Sequence, residues 1–363
     1  MKNCSQNRDF VSVIIKVVDF CNFECSFCRY FQNKERVMSS MSIDTFKQVI
    51  DRASKYNIEH GLRHLTVIFH GGEPLLWGID NFRLAVEYEK EFAKKNNGFK
   101  FINDIQTNAS LINRDWAEFL EKNNFSIGIS VDGPSRINFH KNKTLSDKIV
   151  LNNIRLLREL NCNFGILSVV TEKHKDCADE YYDFLVENEI HSVGFCYCFD
   201  PNEKEIISNN ALTSFLLRLF DRYFYGDFRL HIREFEFVMK LCLKMNIEGC
   251  TFDYRRNCGN FFTITPMGDI HFCDSYDLND SPLGNISYND FEDIKMTPVL
   301  KTIIYNAQTS MINTCNMCDI RDICGGGCTR HVISNGKNAF CETFKILYPH
   351  IRDIVKKESE GLR

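Results

Sequence analysis

The 363-residue sequence has no long hydrophobic run, no internal repeat and no excess of one charge. Its apolar stretches, such as residues 11–18, are far too short to span a bilayer. Residues 1–9 are polar, and no apolar core of a secretion signal precedes the first cysteine motif. The net charge is −4 with lysine and arginine scattered along the chain, so nucleic acid is not an expected partner. The sequence therefore predicts a cytoplasmic protein with no membrane partner.

Cysteine, by contrast, is abundant: the chain has 17, and ten of them stand in two spaced groups. Thiolate is the ligand that holds iron–sulfur clusters, and short spacings let one loop wrap a cluster. The groups therefore predict iron–sulfur centres with electron-transfer or radical chemistry. The first group is Cys21-x3-Cys25-x2-Cys28, and the second comprises Cys258, Cys273, Cys315, Cys318, Cys324, Cys328 and Cys341.

Two other uses of cysteine fit this sequence less well than iron–sulfur clusters do. A secreted disulfide protein is usually a short chain, whereas 363 residues predict one large domain plus a smaller one. Zinc ribbons use paired CxxC knuckles, which the steps of five and three residues before Cys324 and Cys328 do not match. A zinc site with three cysteines, or chance burial of these thiols, stays an alternative for the first group.

Strand-like and helix-like segments alternate along the first part of the chain. Strands are predicted at residues 11–18, 65–69, 101–107, 126–131, 164–170 and 192–195, and helices at residues 42–60, 81–95, 115–122, 147–160 and 178–188. This alternation of strands and helices indicates parallel βαβ units, and therefore an α/β fold. Such folds bind ligands at the carboxyl ends of their strands, so the loops there are the candidate site.

Glycine-rich or polar segments follow the second, third and fourth predicted strands. In His70-Gly-Gly-Glu-Pro74, two glycines let the backbone approach a ligand, and a carboxylate can accept from an ammonium. Polar side chains at strand tips suit a bound nucleoside. Ordinary turns would account for the same residues. The candidate residues are Gly71, Gly72, Glu73, Pro74, Gln106, Asn108, Ser130 and Asp132.

Together these motifs resemble the radical S-adenosylmethionine (radical SAM) enzymes that carry a C-terminal SPASM domain. The resemblance implies an α/β fold in which a partial (β/α)6 barrel precedes the cysteine-rich SPASM domain. It implies S-adenosylmethionine and three [4Fe–4S] clusters as cofactors. Cys21, Cys25 and Cys28, with Phe27 before the third, would hold the cluster whose open iron binds S-adenosylmethionine. The implied boundaries are a barrel at residues 1–212, a helical linker at 213–249 and the SPASM domain at 250–363.

The resemblance also assigns cofactor contacts. The Gly-Gly-Glu-Pro element, ending at Pro74, would hold the amino group of S-adenosylmethionine. The segments containing Gln106, Asn108, Ser130 and Asp132 would hold its ribose and carboxylate. The cation that pairs this carboxylate is left open, because the family's glycine-rich context is missing here. The candidate cations are Arg136, Lys141 and Lys143.

For the second cysteine group the resemblance implies two auxiliary clusters. The first would use Cys258, Cys273 and Cys328, with Cys250 as a candidate fourth ligand or with one iron left open. The second would use four thiolates, those of Cys315, Cys318, Cys324 and Cys341. Asp274, directly after Cys273, matches the residue that takes the substrate proton in sulfatase-maturing enzymes, although a turn or an ion pair is an equal explanation.

We interpret the chain as a maturase that oxidatively modifies a ribosomally made precursor peptide, with a side-chain cross-link as the leading product. Oxidation of cysteine or serine to formylglycine in a sulfatase is the alternative, and a non-catalytic iron–sulfur electron carrier is a third hypothesis. The expected partners are the peptide and a reductant such as flavodoxin or ferredoxin. Only twenty residues precede Cys21, too few for a leader-recognition domain. The peptide is therefore expected to bind at the barrel mouth and the linker around residues 213–250, and recognition by a separate protein is the alternative.

Overall fold

The structure is a computed structural model, and it describes residues 10–28, 38–134, 143–199, 206–245, 258–274, 281–333 and 336–361. The strands are β1 (Ser12–Val18), β2 (His64–Gly71), β3 (Lys100–Thr107), β4 (Ser126–Ser130), β5 (Asn163–Val170), β6 (Ser192–Tyr197), β7 (His231–Ile232), β8 (Phe261–Ile264), β9 (Asp269–Phe272) and β10 (Gly284–Asn285). The helices are α1 (Ile43–Glu59), α2 (Ile79–Lys95), α3 (Arg114–Lys122), α4 (Lys143–Glu159), α5 (Ala178–Glu187), α6 (Asn209–Tyr225), α7 (Arg233–Cys242), α8 (Phe291–Met296), α9 (Pro298–Cys315), α10 (Arg321–Cys324) and α11 (Cys341–Gly361).

All ten strands join one sheet in the order β10-β9-β8-β1-β2-β3-β4-β5-β6-β7. Strands β1 to β7 pair in parallel with their neighbours, and β8 pairs in parallel with β1. The connections between β1 and β6 contain helices, as parallel pairing requires. The predicted α/β fold and its six βαβ strands are therefore confirmed.

Alternate residues of each strand face opposite sides of the sheet, and the two sides differ in chemistry. On one side apolar residues pack beneath the helices: Phe69 of β2 lies 5.8 Å from Phe46 of α1 and 4.9 Å from Phe82 of α2, between ring centroids. On the other side stand polar residues near the carboxyl ends of the strands. We call this side the open face, and its polar residues include Lys16, His70, Gln106 and Ser130.

Several helices begin at a residue whose side chain caps the first turn. Ser42 accepts a hydrogen bond from the backbone N–H of Thr45 at the start of α1, and Asn113 accepts one from Trp116 at the start of α3. Ser208 caps α6 in the same way, accepting from Ala211. These side chains satisfy N–H groups that the first helical turn leaves without partners.

The carboxyl-terminal region is built onto the same sheet. Strands β8 and β9 form an antiparallel hairpin, and β8 lies against β1. Helix α11 packs on α6 and α7. Asn209 of α6 donates to the carbonyl oxygen of Ala339 over 2.8 Å, and Thr213 donates to Thr343 over 3.0 Å. These contacts hold the cysteine-rich segment against the parallel sheet.

The region predicted as a helical linker is only partly helical. It contains most of α6 and all of α7, but β7 lies between them and pairs with Ser192 and Val193 of β6. A strand forms here because the edge of β6 offers unpaired backbone groups. The three domain boundaries remain a prediction. Within the described residues, none of the helices is long and apolar enough to cross a membrane.

Candidate active site

The cysteine loop is held in place by direct backbone contact with the glycine pair that follows β2. The N–H of Gly72 donates to the carbonyl oxygen of Val18 over 2.9 Å, and that of Glu73 donates to Phe20 over 2.9 Å. A Cβ added to Gly72 would lie 1.9 Å from the carbonyl oxygen of Phe20, and Gly71 has a φ of +144°. Both positions therefore require glycine in order to position the chain that leads to Cys21.

We expect Gly72→Ala to displace this loop and lower both the melting temperature and the iron content of the anaerobically prepared protein. The added methyl group meets backbone atoms, which cannot rotate away as a flexible side chain can. Gly61→Ala is the matched control, since Gly61 has a φ of +79° but nothing within 4 Å of an added Cβ. It should cost only about 1 kcal/mol of backbone strain and leave the iron content unchanged. Equal iron content in the two variants would contradict this role for Gly72.

The side chain of Glu73 is buried and stabilises the loop through hydrogen bonds. It is 1 % exposed, and its carboxylate accepts hydrogen bonds from the N–H of Leu75 (3.0 Å), the hydroxyl of Thr107 (2.6 Å) and the N–H of Asn108 (2.8 Å). Burial raises the pKa of Glu73 to about 7 in spite of these donors. The carboxylate thus joins the loop after β2 to the end of β3, and its predicted contact with an ammonium group stays a prediction. Pro74 is buried and starts a short 3₁₀ helix, Pro74–Trp77.

Cys21 lies within a hydrogen-bond network made by the tip of β3. The N–H of Phe23 donates to its sulfur over 3.3 Å, and the side-chain amide of Asn108 approaches the same sulfur at 3.6 Å. Asn108 also donates to Asn22 over 2.9 Å, and Asn22 donates to Ser110 over 2.8 Å. Such donors to sulfur tune iron–sulfur clusters, and they favour a thiolate at Cys21.

The other thiols of the loop are half-buried, as Cys21 is. Burial raises the pKa of Cys21 to about 11 and that of Cys25 further, and the nearby carboxylate of Asp132 adds to the shift at Cys25. Thiols must lose their protons to bind metal, so these values apply to the loop before a cluster is bound. Phe27, the aromatic residue before Cys28, packs against Cys177. Three partly accessible thiols with N–H donors suit an iron–sulfur cluster.

Gln106 and Ser130 stand side by side on the open face. The amide of Gln106 donates to the hydroxyl of Ser130 over 2.9 Å, and Gly128 leaves the space for it, since a Cβ there would lie 2.2 Å from Oε1 of Gln106. Both side chains are half-buried. These two predicted cofactor residues therefore lie together at adjacent strand ends, next to the strand that carries Asn108.

Asp132 is tied to the end of β5. It is 3 % exposed, and its carboxylate accepts from the N–H of Val169 over 3.0 Å. Burial raises the pKa of Asp132 to about 7. His174 is neutral, because burial lowers its pKa to about 4, and its Nδ1 accepts from the N–H of Thr171. Its Nε2 therefore carries the proton and donates to the carbonyl oxygen of Asp132 over 3.0 Å.

Asp274 reaches the open face and forms an ion pair with Lys16. Lys16 is only 3 % exposed along its side chain, whereas Asp274 is 33 % exposed. Cys273, just before it, has a left-handed backbone with a φ of 44°, which is unusual for a residue other than glycine. This turn directs the carboxylate of Asp274 toward β1.

His70 is the third member of this group. Its Nε2 lies 3.8 Å from a carboxylate oxygen of Asp274, and its Nδ1 lies 3.4 Å from the ammonium group of Lys16. The ring is neutral, because burial and then Lys16 lower the pKa of His70 to about 4. The N–H of Gly71 donates to Nδ1 over 2.8 Å, so Nε2 carries the proton and faces Asp274. Sequence reasoning missed Lys16, although a lysine inside the apolar strand β1 was a usable signal.

Four predicted ligands of the second auxiliary cluster line a single cavity of about 530 Å³: Cys315, Cys318, Cys324 and Cys341. Burial raises the pKa of Cys324 to about 12. After Cys324 the chain turns through three glycines with positive φ, the last of which leaves room for Asn338. The cavity and its four thiols fit a cluster of several atoms. In the part of the chain that the structure describes, no three Cys, His, Asp or Glu side chains are close enough to hold one metal ion.

The remaining predicted site residues are only partly placed. Cys258, Cys273 and Cys328 are half-buried, and their convergence on a first auxiliary cluster stays a prediction. Cys250, Arg136 and Lys141 lie outside the described residues, and Lys143 begins α4 without a described side chain. The structure thus leaves open which cation pairs the cofactor's carboxylate.

Comparison with known proteins agrees with this arrangement. The Radical SAM superfamily profile matches residues 15–185, and the SPASM profile, an iron–sulfur cluster-binding domain, matches residues 256–319. Cys324, Cys328 and Cys341 lie beyond the second match. A cysteine-type anaerobic sulfatase-maturating enzyme of Clostridium novyi is 29% identical over 93% of this chain and 94% of its own length. A serine-type enzyme of Bacteroides thetaiotaomicron is 24% identical over 95% of this chain and 91% of its own.

Among solved structures, native anSMEcpe with bound AdoMet and the Kp18Cys peptide superposes with a TM-score of 0.83. It is 25% identical and the match covers 96% of this chain and 99% of that one. The domain matches confirm the predicted cofactors, S-adenosylmethionine and iron–sulfur clusters. The chain is therefore a radical SAM oxidoreductase with a C-terminal SPASM domain.

Proposed function

We propose that this enzyme oxidises a cysteine side chain of a peptide or protein substrate to formylglycine. The name of its Clostridium novyi relative, a cysteine-type anaerobic sulfatase-maturating enzyme, supports a cysteine substrate. The sequence alone favoured a cross-linked peptide, with formylglycine as the alternative. The sulfatase-maturating relatives favour the alternative instead, because they match along nearly the full chain. Serine is the second candidate substrate, given the serine-type relative. We further propose three [4Fe–4S] clusters and a reducing, cytoplasmic setting.

The observation that carries the proposal is the carboxylate of Asp274 on the open face, paired with Lys16 of β1, the strand that leads into the loop with the three cysteines. S-adenosylmethionine, when bound at a cluster there, supplies hydrogen-atom abstraction from an unactivated C–H bond. Oxidation to an aldehyde-level product also requires the thiol or hydroxyl group to lose its proton. Asp274 is accessible enough to take it, and Lys16 holds this carboxylate in place through their ion pair.

Other polar side chains of the open face suit a bound peptide. Gln106 and Ser130 already pair with each other, and their half-buried amide and hydroxyl groups can hydrogen-bond a nucleoside or peptide group. His70 presents an N–H toward Asp274 without carrying a positive charge, because its pKa is lowered to about 4. A neutral donor here leaves the ion pair between Lys16 and Asp274 as the dominant local interaction.

The test uses anaerobically reconstituted enzyme and three peptides from a sulfatase active site, which carry cysteine, serine or alanine at the modified position. The cysteine peptide should lose two hydrogens, exchange sulfur for oxygen and become reactive toward a hydrazide probe. The alanine peptide should stay unchanged. Mass spectrometry distinguishes this result from a cross-link, which also loses two hydrogens but gives no aldehyde. A cross-linked product without aldehyde would overturn the proposal and restore the peptide-maturase interpretation.

A further inference from the structure

The beginning of helix α7 places a guanidinium group over the open face of the sheet. Residues that pair across a sheet share a face: Ser130 of β4 pairs with Leu167 of β5, and Leu167 pairs with Gly194 of β6. A Cβ added to Gly194 would lie 3.0–3.2 Å from the guanidinium atoms of Arg233, the first residue of α7. The next residue of β6, Phe195, points to the opposite side and packs against α6. The guanidinium of Arg233 therefore lies on the same face as Ser130.

Two neighbours hold this guanidinium in one orientation. Nε and Nη2 of Arg233 donate to one carboxylate oxygen of Glu234 over 2.9 and 2.6 Å, and Nη2 also donates to the carbonyl oxygen of Phe195 over 2.9 Å. The same oxygen of Glu234 accepts from the N–H of Phe195 over 3.0 Å. The side chain of Arg233 is nevertheless 40 % exposed, whereas that of Glu234 is 11 % exposed. Because the guanidinium is already fixed and accessible, it loses little side-chain entropy when it binds a ligand.

The thiol of Cys196 connects this guanidinium with the site around Asp274. Cys196 is half-buried, and alternation along β6 places it on the open face. Burial raises the pKa of Cys196 to about 11, and Arg233 opposes this shift. Three carboxylates raise the same pKa further, those of Glu234, Asp274 and Asp132. Cys196 thus lies within electrostatic range of both Arg233 and Asp274, and a ligand that covers this thiol can extend toward both.

The charges around Arg233 favour a neutral acceptor as its ligand. Arginine donates hydrogen bonds and accepts none, so the ligand must supply an acceptor oxygen. Glu234 already balances the positive charge of Arg233, and the carboxylates of Asp132 and Asp274 act on the same part of the open face. A carboxylate on the ligand would therefore gain little net attraction. A main-chain carbonyl oxygen accepts a hydrogen bond from the guanidinium without adding a charge.

We propose that Arg233 binds a main-chain carbonyl oxygen of the substrate peptide, at a residue flanking the one that presents its thiol to Asp274. This contact fixes the direction in which the peptide crosses the open face and holds the reacting residue in place beside Asp274. Arg233 is then a substrate-binding residue that contributes to specificity and makes no contact with S-adenosylmethionine or a cluster. The inference rests on the proposed function, because it takes a peptide as the substrate.

The test measures peptide binding separately from peptide oxidation. Binding of the alanine peptide to reconstituted holoenzyme with S-adenosylmethionine, without a reductant, is followed by fluorescence anisotropy at low and high salt. Arg233→Gln should weaken binding about 10- to 100-fold, as expected for a hydrogen bond from a charged donor. The ratio between wild type and variant should be equal at both salt concentrations, because a neutral acceptor is little affected by screening. With the cysteine peptide, the variant should raise the KM for peptide and leave the KM for S-adenosylmethionine unchanged.

The matched control is Arg158→Gln on α4. The side chain of Arg158 is 38 % exposed, pairs with Glu189 over 2.7 Å and donates to the carbonyl oxygen of Asn188 over 3.0 Å at the end of α5. It therefore makes the same two kinds of contact as Arg233, but with the end of a helix instead of a strand. Arg158→Gln should bind the peptide like the wild type.

A second variant moves the guanidinium without removing its charge. Gly194→Val fills the space next to the guanidinium of Arg233, which can yield because it is the end of a flexible side chain. This variant should also weaken peptide binding at unchanged iron content. The double variant Gly194→Val/Arg233→Gln should bind no more weakly than Arg233→Gln alone, since both changes remove the same contact.

Three results would overturn the inference. Equal binding by wild type, Arg233→Gln and Arg158→Gln would exclude the contact, and a ratio that falls with salt would identify a ligand carboxylate instead. Loss of iron or of S-adenosylmethionine cleavage in Arg233→Gln would make Arg233 a structural residue of α7. If peptide binding depends on Arg233 but no aldehyde forms, the proposed function fails while this inference stands.

Discussion

Replacing Cys21, Cys25 and Cys28 by alanine should abolish cleavage of S-adenosylmethionine and lower the iron content from about twelve to about eight atoms per chain. The three thiols lie in one loop, and N–H donors point at the sulfur of Cys21. Their removal leaves the proposed auxiliary ligands, which lie in other segments. Release of 5′-deoxyadenosine and iron analysis under anaerobic conditions provide the two readouts.

The matched control is Cys162→Ala/Cys242→Ala, which removes two thiols that have no cluster motif. Cys162 is 8 % exposed and donates to the carbonyl oxygen of Ala117, so its sulfur has a structural contact. This control should keep all of its iron and continue to cleave S-adenosylmethionine. Wild-type iron near four atoms, or zinc in its place, would contradict the proposal of three clusters.

The fold was predictable from the sequence because each βαβ unit has its own local signal. Strands β1 to β6 and helices α1 to α5 occur where hydrophobic periodicity predicted them, and α1 begins at its predicted cap, Ser42. The addition of β8 to β1 had no such signal. It joins segments about 250 residues apart, and long-range pairing depends on which edge the assembled sheet leaves open.

The candidate site was predictable in its motifs but not in how its side chains are used. The Gly-Gly-Glu-Pro element suggested a ligand-binding loop. In the structure, however, Gly72 is required for contact with the backbone of Phe20, and the carboxylate of Glu73 accepts hydrogen bonds from Thr107 and Asn108. A sequence motif shows which residues a fold requires. It does not distinguish residues that contact a ligand from residues that stabilise the loop. Lys16 was missed for a related reason, because its partner Asp274 is distant in sequence.

Asp274 provides the second large expected effect. Asp274→Asn should still release 5′-deoxyadenosine but form about 10²- to 10⁴-fold less modified peptide, because an amide has the shape of the carboxylate without its basicity. The amide oxygen can still accept a hydrogen bond from Lys16, but the buried lysine loses its counter-charge, so the melting temperature should fall while the iron content stays at the wild-type level. The control is Asp179→Asn on α5, whose carboxylate pairs with Arg218 and Arg222 of α6 at the protein surface.

Lys16→Met separates the two roles that Asp274 combines. Methionine keeps the apolar length of lysine but removes the charge that holds the carboxylate, so Asp274 would keep only His70, at 3.8 Å, from this group. If Asp274 takes the substrate proton, Lys16→Met should lower kcat for product formation less than Asp274→Asn does, since the base is still present but poorly positioned. If Asp274 serves only as the counter-charge of a buried lysine, the double variant Lys16→Met/Asp274→Asn should recover wild-type product yield. That recovery would return Asp274 to a structural role, whereas continued loss of product with continued 5′-deoxyadenosine release would identify it as the base.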